Sequence, residues 1–151
     1  MPLNEIFIKA DECKEHTCKI NRSNIKNIFK PEKGFLNKQL EQELLGLNYK
    51  ICDCIIECQN GKIVVVEILC GRLTYGEFKD KIIQLENCIK ILKSIGLSSQ
   101  IINVYLVYKS LDKQFSLMIK SPPFKKKLLN LKKSQKISLL EASYKAINID
   151  C

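Results

Sequence analysis

The most regular pattern in the chain is a pair of apolar runs that predicts a β-hairpin. Residues 50–58 and 62–69 are rich in β-branched residues, and Asn60-Gly61 lies between them. Asn-Gly is typical of a two-residue type I′ turn, in which both central residues adopt positive φ. The second run carries a single acid, Glu67. Because a buried carboxylate is costly without a partner, Glu67 marks either the end of the sheet or a site.

A second period, close to that of an α-helix, predicts helices on both sides of the hairpin. Apolar residues recur at helical spacing over residues 33–47 and 75–95, and Gly96 follows the longer segment where a C-terminal cap belongs. The sequence also predicts a short helix over residues 23–29 and a final helix over residues 134–147. Helices are therefore expected before the hairpin, after it and near the end of the chain.

Two further apolar segments, residues 101–109 and 114–120, predict strands. Strands joined by a crossover helix form an α/β sheet. We therefore predict a single α/β domain with a mixed central β-sheet flanked by helices. Its core spans residues 31–120, after an N-terminal extension (residues 1–30) and before a basic segment with the final helix (residues 121–151).

The charge balance narrows the class of partner. The 151 residues carry 25 Lys and Arg against 16 Asp and Glu, a net charge of +9. This excess on one small domain favours a polyanion, most often nucleic acid. Residues 1–10 lack the basic start and apolar core of a signal peptide, and the apolar run 63–70 is too short to span a membrane. We therefore expect a cytoplasmic protein without membrane contact.

Eight cysteines leave three chemical states open. Cys13 and Cys18 frame His16, the only histidine, and resemble half of a zinc site. Four more lie in or beside the hairpin and have the ligand type for zinc or an iron–sulfur cluster: Cys52, Cys54, Cys58 and Cys70. Disulfides, for example between the Cys13–Cys18 region and Cys151, are the third state, which occurs inside hyperthermophile cells. Composition does not choose between thiols, metal ligands and disulfides.

The hairpin resembles the central motif of one nuclease family. Residues 60–63 read Asn-Gly-Lys-Ile, and residues 67–70 read Glu-Ile-Leu-Cys. A turn Asn-Gly-Lys, an apolar strand and Glu-x-Lys follow one another in the PD-(D/E)XK nuclease superfamily, and within it in the archaeal Holliday junction resolvases. The resemblance covers residues 33–120 and is most specific in the hairpin. It implies a restriction-endonuclease-like fold and a homodimer.

In that family an Asp and the Glu hold magnesium, and the Lys orients or activates the attacking water. The resemblance therefore implies Asp53 and Glu67 as catalytic residues and as ligands of Mg²⁺. It also implies Glu41 or Glu43, from the preceding helix, as a further catalytic acid. Leu69 stands where the family has the Lys. An active enzyme would need a lysine from another position, and the candidates are Lys62, Lys79 and Lys81.

The register of the hairpin decides which side chain stands beside Glu67. A two-residue turn places Cys54 directly opposite Glu67, and directly opposed residues point to the same face. A three-residue loop or a bulge places Asp53 there instead. We expect the two-residue turn, so that Cys54, Glu67 and Leu69 share one face. A soft thiol and an apolar group hold magnesium poorly.

We therefore expect a nucleic-acid-binding protein of the Holliday-junction-resolvase-like fold, acting on branched or duplex DNA, with weakened or lost cleavage. Two alternatives stay open: an active magnesium-dependent, structure-selective endonuclease, and a non-catalytic protein-interaction subunit. Phosphate contacts are expected from Arg72, in the loop after Glu67, and from Lys79. The basic segment supplies the remaining expected contacts: Lys125, Lys126, Lys127, Lys132 and Lys133.

Overall fold

The computed structural model describes residues 2–46, 50–142 and 147–151. These residues form a six-stranded mixed sheet with flanking helices, which confirms the predicted α/β class. The strands are β1 (Lys9–Ala10), β2 (Lys14–Glu15), β3 (Cys18–Lys19), β4 (Ile25–Phe29), β5 (Cys54–Cys58), β6 (Ile63–Leu73), β7 (Ile101–Leu111) and β8 (Ile137–Glu141). The α-helices are α1 (Leu3–Ile6), α2 (Lys38–Leu45), α3 (Tyr75–Ser94), α4 (Lys113–Ile119) and α5 (Pro122–Gln135).

The central sheet joins an antiparallel half to a parallel half. Its order is β1-β4-β5-β6-β7-β8, while β2 and β3 form a separate two-stranded hairpin. Strands β4, β5 and β6 are antiparallel neighbours, and β6, β7 and β8 are parallel. Parallel neighbours need a crossover connection. Helix α3 supplies it between β6 and β7, and α4 with α5 supplies it between β7 and β8.

The hairpin loop between β5 and β6 has three residues, and the predicted two-residue turn is wrong. Cys54 pairs with Val66, one residue before the predicted partner Glu67. Gly61 has a φ of 82°, and its N–H donates to the Cys58 carbonyl at 3.0 Å. A type I turn followed by a glycine in this left-handed conformation is a common three-residue loop. Asn-Gly suits both loops, so the local sequence could not choose between them.

Two helices predicted in the first half of the chain differ from the observed elements. Residues 23–29, predicted as a helix, contain β4, because pairing with both β1 and β5 overrides local helix propensity. The helix predicted over residues 33–47 is α2, and it begins later, after Asn37, whose side chain accepts a backbone hydrogen bond at 3.0 Å. Gly46 follows its last residue, and residues 47–49 lie outside the described part of the chain.

In the second half of the chain, two predicted elements are confirmed and two are wrong. Helix α3 and strand β7 lie where residues 75–95 and 101–109 predict them. Residues 114–120, predicted as a strand, contain α4, because the Asp112 side chain caps the first turn. The helix predicted over residues 134–147 is wrong where the structure describes it, because residues 137–141 form β8, and residues 143–146 lie outside the described part of the chain. Helix α5 ends before strand β8 begins, and two prolines, which suit a helix N-terminus, form its first turn.

Apolar side chains cover both faces of the sheet, so the sheet separates two cores. One face packs against α3 through buried residues such as Val65, Phe78 and Leu85. The other face packs through residues such as Val66 and Ile20 against the segments that precede β4 and follow β8. Side chains alternate between faces along a strand. Glu67 therefore lies on the α3 face, like Val65.

The eight cysteines form four disulfides. They are Cys13–Cys54, Cys18–Cys70, Cys52–Cys88 and Cys58–Cys151. The zinc and iron–sulfur sites considered from the sequence are therefore excluded, because those metals bind thiolates and not cystine sulfurs. The example pairing of Cys151 with the first two cysteines is also wrong. Disulfides persist in oxidising compartments or inside hyperthermophile cells. The expected cytoplasmic location therefore agrees with four disulfides only if the cell is a hyperthermophile.

Candidate active site

Asp53 and Glu67 lie side by side where β5 begins. The carboxyl group of each accepts a hydrogen bond from the backbone of the other's segment. Asp53 N–H donates to Glu67 Oε1 at 2.8 Å, and Ile68 N–H donates to Asp53 Oδ2 at 2.7 Å. Asp53 is 7% exposed and Glu67 is 0% exposed. The expectation that Cys54 faces Glu67 is wrong, because Cys54 belongs to the core of the opposite face. The structure therefore brings the two predicted metal ligands together.

The cation of this site comes from helix α3. Nζ of Lys81 lies 3.0 Å from Oε2 of Glu67, and the Lys81 side chain is 20% exposed. Of the three candidate lysines, Lys81 is the one that the structure pairs with these acids. Lys79 instead places its ammonium over an aromatic ring, and Lys62 is exposed directly after the hairpin loop. Leu69, at the position of the family's Lys, packs against the core.

Burial makes the two carboxyl groups weak acids. Burial, together with the negative charge of Glu67, raises the pKa of Asp53 to about 9. Burial also raises the pKa of Glu67, against the opposing effect of Lys81. Partial burial alone would lower the pKa of Lys81, but the charge and hydrogen bond of Glu67 and the charges of Asp53 and Glu77 together raise that pKa. At neutral pH Asp53 therefore holds a proton, and Lys81 is the counter-ion of Glu67.

Two further acids, which the sequence analysis missed, approach Asp53 from other elements. Glu15 lies in β2 and is half-buried, and Glu32 lies exposed in a 3-10 turn at Pro31–Lys33. One carboxylate oxygen from each of Glu15, Glu32 and Asp53 lies within 4.8 Å of the other two. No local pattern marks either residue, because only the tertiary structure joins these segments. No signal in the sequence could have found them.

This donor set fits a hard divalent cation. Mg²⁺ and Ca²⁺ bind carboxylate oxygens at about 2.1 Å and about 2.4 Å, so oxygens on opposite sides of the ion are about 4–5 Å apart. The separations of up to 4.8 Å are therefore close to those that such an ion requires. Glu67 is not one of these three acids, and its Oε2 instead lies 3.0 Å from Nζ of Lys81. Asp53 would lose its proton when the metal binds, since a ligand must be deprotonated.

The acids predicted from the helix before the hairpin have other partners. Oε2 of Glu41 accepts a hydrogen bond from Phe35 N–H at 2.6 Å and lies 3.7 Å from Nζ of Lys38. Oε1 of Glu43 accepts one from the Gln39 side chain at 3.2 Å on an exposed face. Within the described residues, neither joins the three acids grouped around Asp53. A catalytic role for these two acids stays a prediction.

The predicted phosphate-binding residues lie on three elements. Arg72 is exposed on β6, which continues to Leu73 through part of the segment predicted as a loop. Lys79 and Lys127 lie over the Tyr75 ring, with Nζ atoms 4.8 Å and 5.6 Å from its centroid. The others are exposed on helix α5: Lys125, Lys126, Lys132 and Lys133. Because α5 contains no acid, it presents unbroken positive charge.

Comparison with known proteins supplies no relative. No family model, no curated protein and no solved structure matches this chain. Among the described residues, no helix has both the length and the apolar character needed to cross a membrane. Any functional proposal therefore depends on the geometry of the acids and lysines described above.

Proposed function

We propose that this chain is a metal-dependent nuclease that uses Asp53, Glu67 and Lys81. The observation that carries the proposal is the contact between two buried carboxyl groups and one amine where β5, β6 and α3 meet. Phosphodiester cleavage needs oxygen ligands for a metal and a cation close to the charge that develops in the transition state. Asp53 would supply one ligand, together with the acids that lie near it, and Nζ of Lys81, held 3.0 Å from Oε2 of Glu67, would supply the cation.

The strand order supports the resemblance to the PD-(D/E)XK nucleases. Three antiparallel strands (β4, β5 and β6), a crossover helix and the parallel strand β7 follow one another. The family's Lys position holds Leu69, but Lys81 brings an ammonium group to the same acid from α3. Lost cleavage is expected for two reasons, Leu69 at the lysine position and Cys54 beside Glu67, and the observed register removes the second.

Each side chain has a separate role in the proposed reaction. Asp53, with Glu15 and Glu32, would hold the metal. A bound metal ion polarises the scissile phosphate and lowers the pKa of an attacking water. Glu67 fixes Asp53 through the Asp53 N–H group and holds the Lys81 ammonium in place. Lys81 stabilises the negative charge that develops on the phosphate oxygens.

We propose branched or duplex DNA as the substrate. The net charge of +9 and the acid-free helix α5 support a polyanionic partner. The homodimer implied by the family resemblance stays a prediction, and sedimentation velocity with and without a four-way junction measures it. RNA hairpins of the same length, tested in parallel, measure the preference for DNA.

Cleavage of a labelled four-way junction, with Mg²⁺ or Mn²⁺, tests the proposal. The wild type should cut, and Asp53→Asn or Lys81→Met should lower the rate by about 100-fold, the usual effect of losing one such group. The control is Glu57→Gln, because Glu57 lies on the same strand but binds Asn27, at 2.7 Å. Cleavage that survives Asp53→Asn, or that needs no divalent metal, contradicts the proposal.

Binding without cleavage is the second candidate, and the burial of the acids favours it. Glu67 is 0% exposed and Asp53 only 7% exposed, so a phosphate has little direct access to these two carboxyl groups. A junction that is shifted in a gel at low salt but never cut supports this candidate. If the protein neither cuts nor shifts the junction, the remaining alternative is a non-catalytic protein-interaction subunit.

A further inference from the structure

The hairpin formed by β2 and β3 carries Glu15 but belongs to neither half of the central sheet. Lys14 pairs with Lys19 and Glu15 pairs with Cys18, and the two strands of two residues each form their own sheet. Lys14, His16 and Thr17 are exposed. An isolated two-stranded hairpin is at best marginally stable in water. Something outside the hairpin must therefore hold Glu15 near Asp53.

Two disulfides anchor this hairpin to the strands of the acidic site. Cys13, directly before the hairpin, is bonded to Cys54, the residue after Asp53. Cys18, the partner of Glu15 across the hairpin, is bonded to Cys70 on β6, the strand that carries Glu67. The hairpin is therefore tied to both strands that supply the buried acids. Apart from the cysteines, the hairpin itself offers no buried apolar side chain to hold it in place.

We propose that this hairpin is a disulfide-anchored arm that supplies Glu15 as a metal ligand, so that the metal affinity of the site depends on the Cys18–Cys70 and Cys13–Cys54 bonds. The inference rests on the metal site of the proposed function and names a positioning device for it. Glu15 is its metal-binding residue, and the four cysteines position that residue. Without these bonds, metal binding would also have to order the hairpin, and the loss of conformational entropy would lower the metal affinity.

The two anchors differ in their access to a reductant. Cys13 and Cys54 are both 0% exposed, whereas Cys70 is partly exposed. A dithiol such as dithiothreitol therefore reaches Cys18–Cys70 first. It gives up two electrons and two protons and becomes a cyclic disulfide, while the cystine becomes two thiols. The expected consequence is a protein that keeps its sheet but binds metal more weakly.

Calorimetric titration of the purified protein with Mn²⁺ tests the proposal. Cys18→Ser/Cys70→Ser and Glu15→Gln should each weaken Mn²⁺ binding by about tenfold, as the loss of a metal-site support usually does. The matched control is Cys58→Ser/Cys151→Ser. This pair also contains one partly exposed cysteine, but it ties the far end of β5 to another segment. The control should bind Mn²⁺ like the wild type.

A double-mutant cycle separates positioning from general destabilisation. Glu15→Gln added to Cys18→Ser/Cys70→Ser should weaken binding no further, because both changes remove the same ligand. Wild-type affinity in both Glu15→Gln and the cysteine variant overturns the inference while the metal site stands. Absence of Mn²⁺ binding in the wild type overturns both the inference and the metal site. If the cysteine variant does not fold, as judged by circular dichroism, Glu15→Gln alone decides.

Discussion

At the scale of single residues, the site depends on a carboxyl group whose pKa lies far from its ordinary value. Burial and the charge of Glu67 raise the pKa of Asp53 from 3.8 to about 9. In the unfolded chain neither effect acts, so the unfolded chain loses this proton at lower pH than the folded protein does. The folded state therefore binds more protons over this range, and its stability falls as the pH rises through it.

Asp53→Asn should stabilise the metal-free protein at pH 8. The amide keeps an acceptor for Ile68 N–H and is neutral without taking up a proton on folding, as Asp53 must at pH 8, so the free energy of unfolding should rise by about 2 kcal/mol. Urea unfolding in EDTA between pH 5 and pH 8 measures this change. The wild type should lose stability across that range, and Asp53→Asn should lose less.

Glu57→Gln is the control for this experiment, since Glu57 bonds to Asn27 outside the site. It should follow the pH dependence of the wild type. An Asp53→Asn protein that is less stable than the wild type at pH 8 would contradict the raised pKa. Added Mg²⁺ should stabilise the wild type and leave Asp53→Asn unchanged, because binding to the folded state alone raises stability.

At the scale of elements, the length of the loop between β5 and β6 decides which side chains the site contains. The three-residue loop shifts the β5–β6 pairing by one position relative to a two-residue turn. Since side chains alternate along a strand, that shift exchanges the faces of Asp53 and Cys54. The carboxylate consequently lies beside Glu67, and Cys54 is free to bond with Cys13 on the other face.

Gly61→Ala should destabilise the protein by about 1 kcal/mol, because an L-residue is strained in the left-handed region. Gly61 has a φ of 82°, and an added Cβ would meet nothing within 4 Å, so the cost is conformational. Gly71→Ala is the matched control: it also meets nothing within 4 Å, and its φ is not positive. Thermal unfolding measures both variants. Equal melting temperatures would show that the loop does not require glycine.

At the scale of the whole molecule, positive charge is unevenly placed around the acidic site. Helix α5 carries five lysines and no acid, and its Lys127 approaches α3 over the Tyr75 ring. The acids Glu15, Glu32 and Asp53 instead gather where the N-terminal segments meet β5. In the complex that we propose, phosphates of the nucleic acid contact helix α5 and one phosphate lies at the proposed metal site.

Replacing Lys125, Lys126 and Lys127 together by Ala should weaken DNA binding and its salt dependence. Each lost phosphate contact should lower the slope of log K against log salt by about 0.9. Fluorescence anisotropy of a duplex at several KCl concentrations measures this slope. The control removes three other exposed lysines and so the same net charge: Lys26, Lys62 and Lys90. If both triple variants weaken binding equally, net charge alone attracts the DNA.

The sequence by itself determined the α/β class, helix α3, strand β7 and the importance of the hairpin that carries Glu67. These features depend on local periodicity and on a dipeptide with a strong turn preference, so they are visible in a single chain. The sequence also named Asp53, Glu67 and Lys81 as candidates. Only the tertiary structure decided that these three meet, that Glu15 and Glu32 lie near Asp53, and that cysteines distant in sequence pair. The physical reason is that register, crossover packing and disulfide pairing depend on contacts between distant segments, which no local pattern encodes.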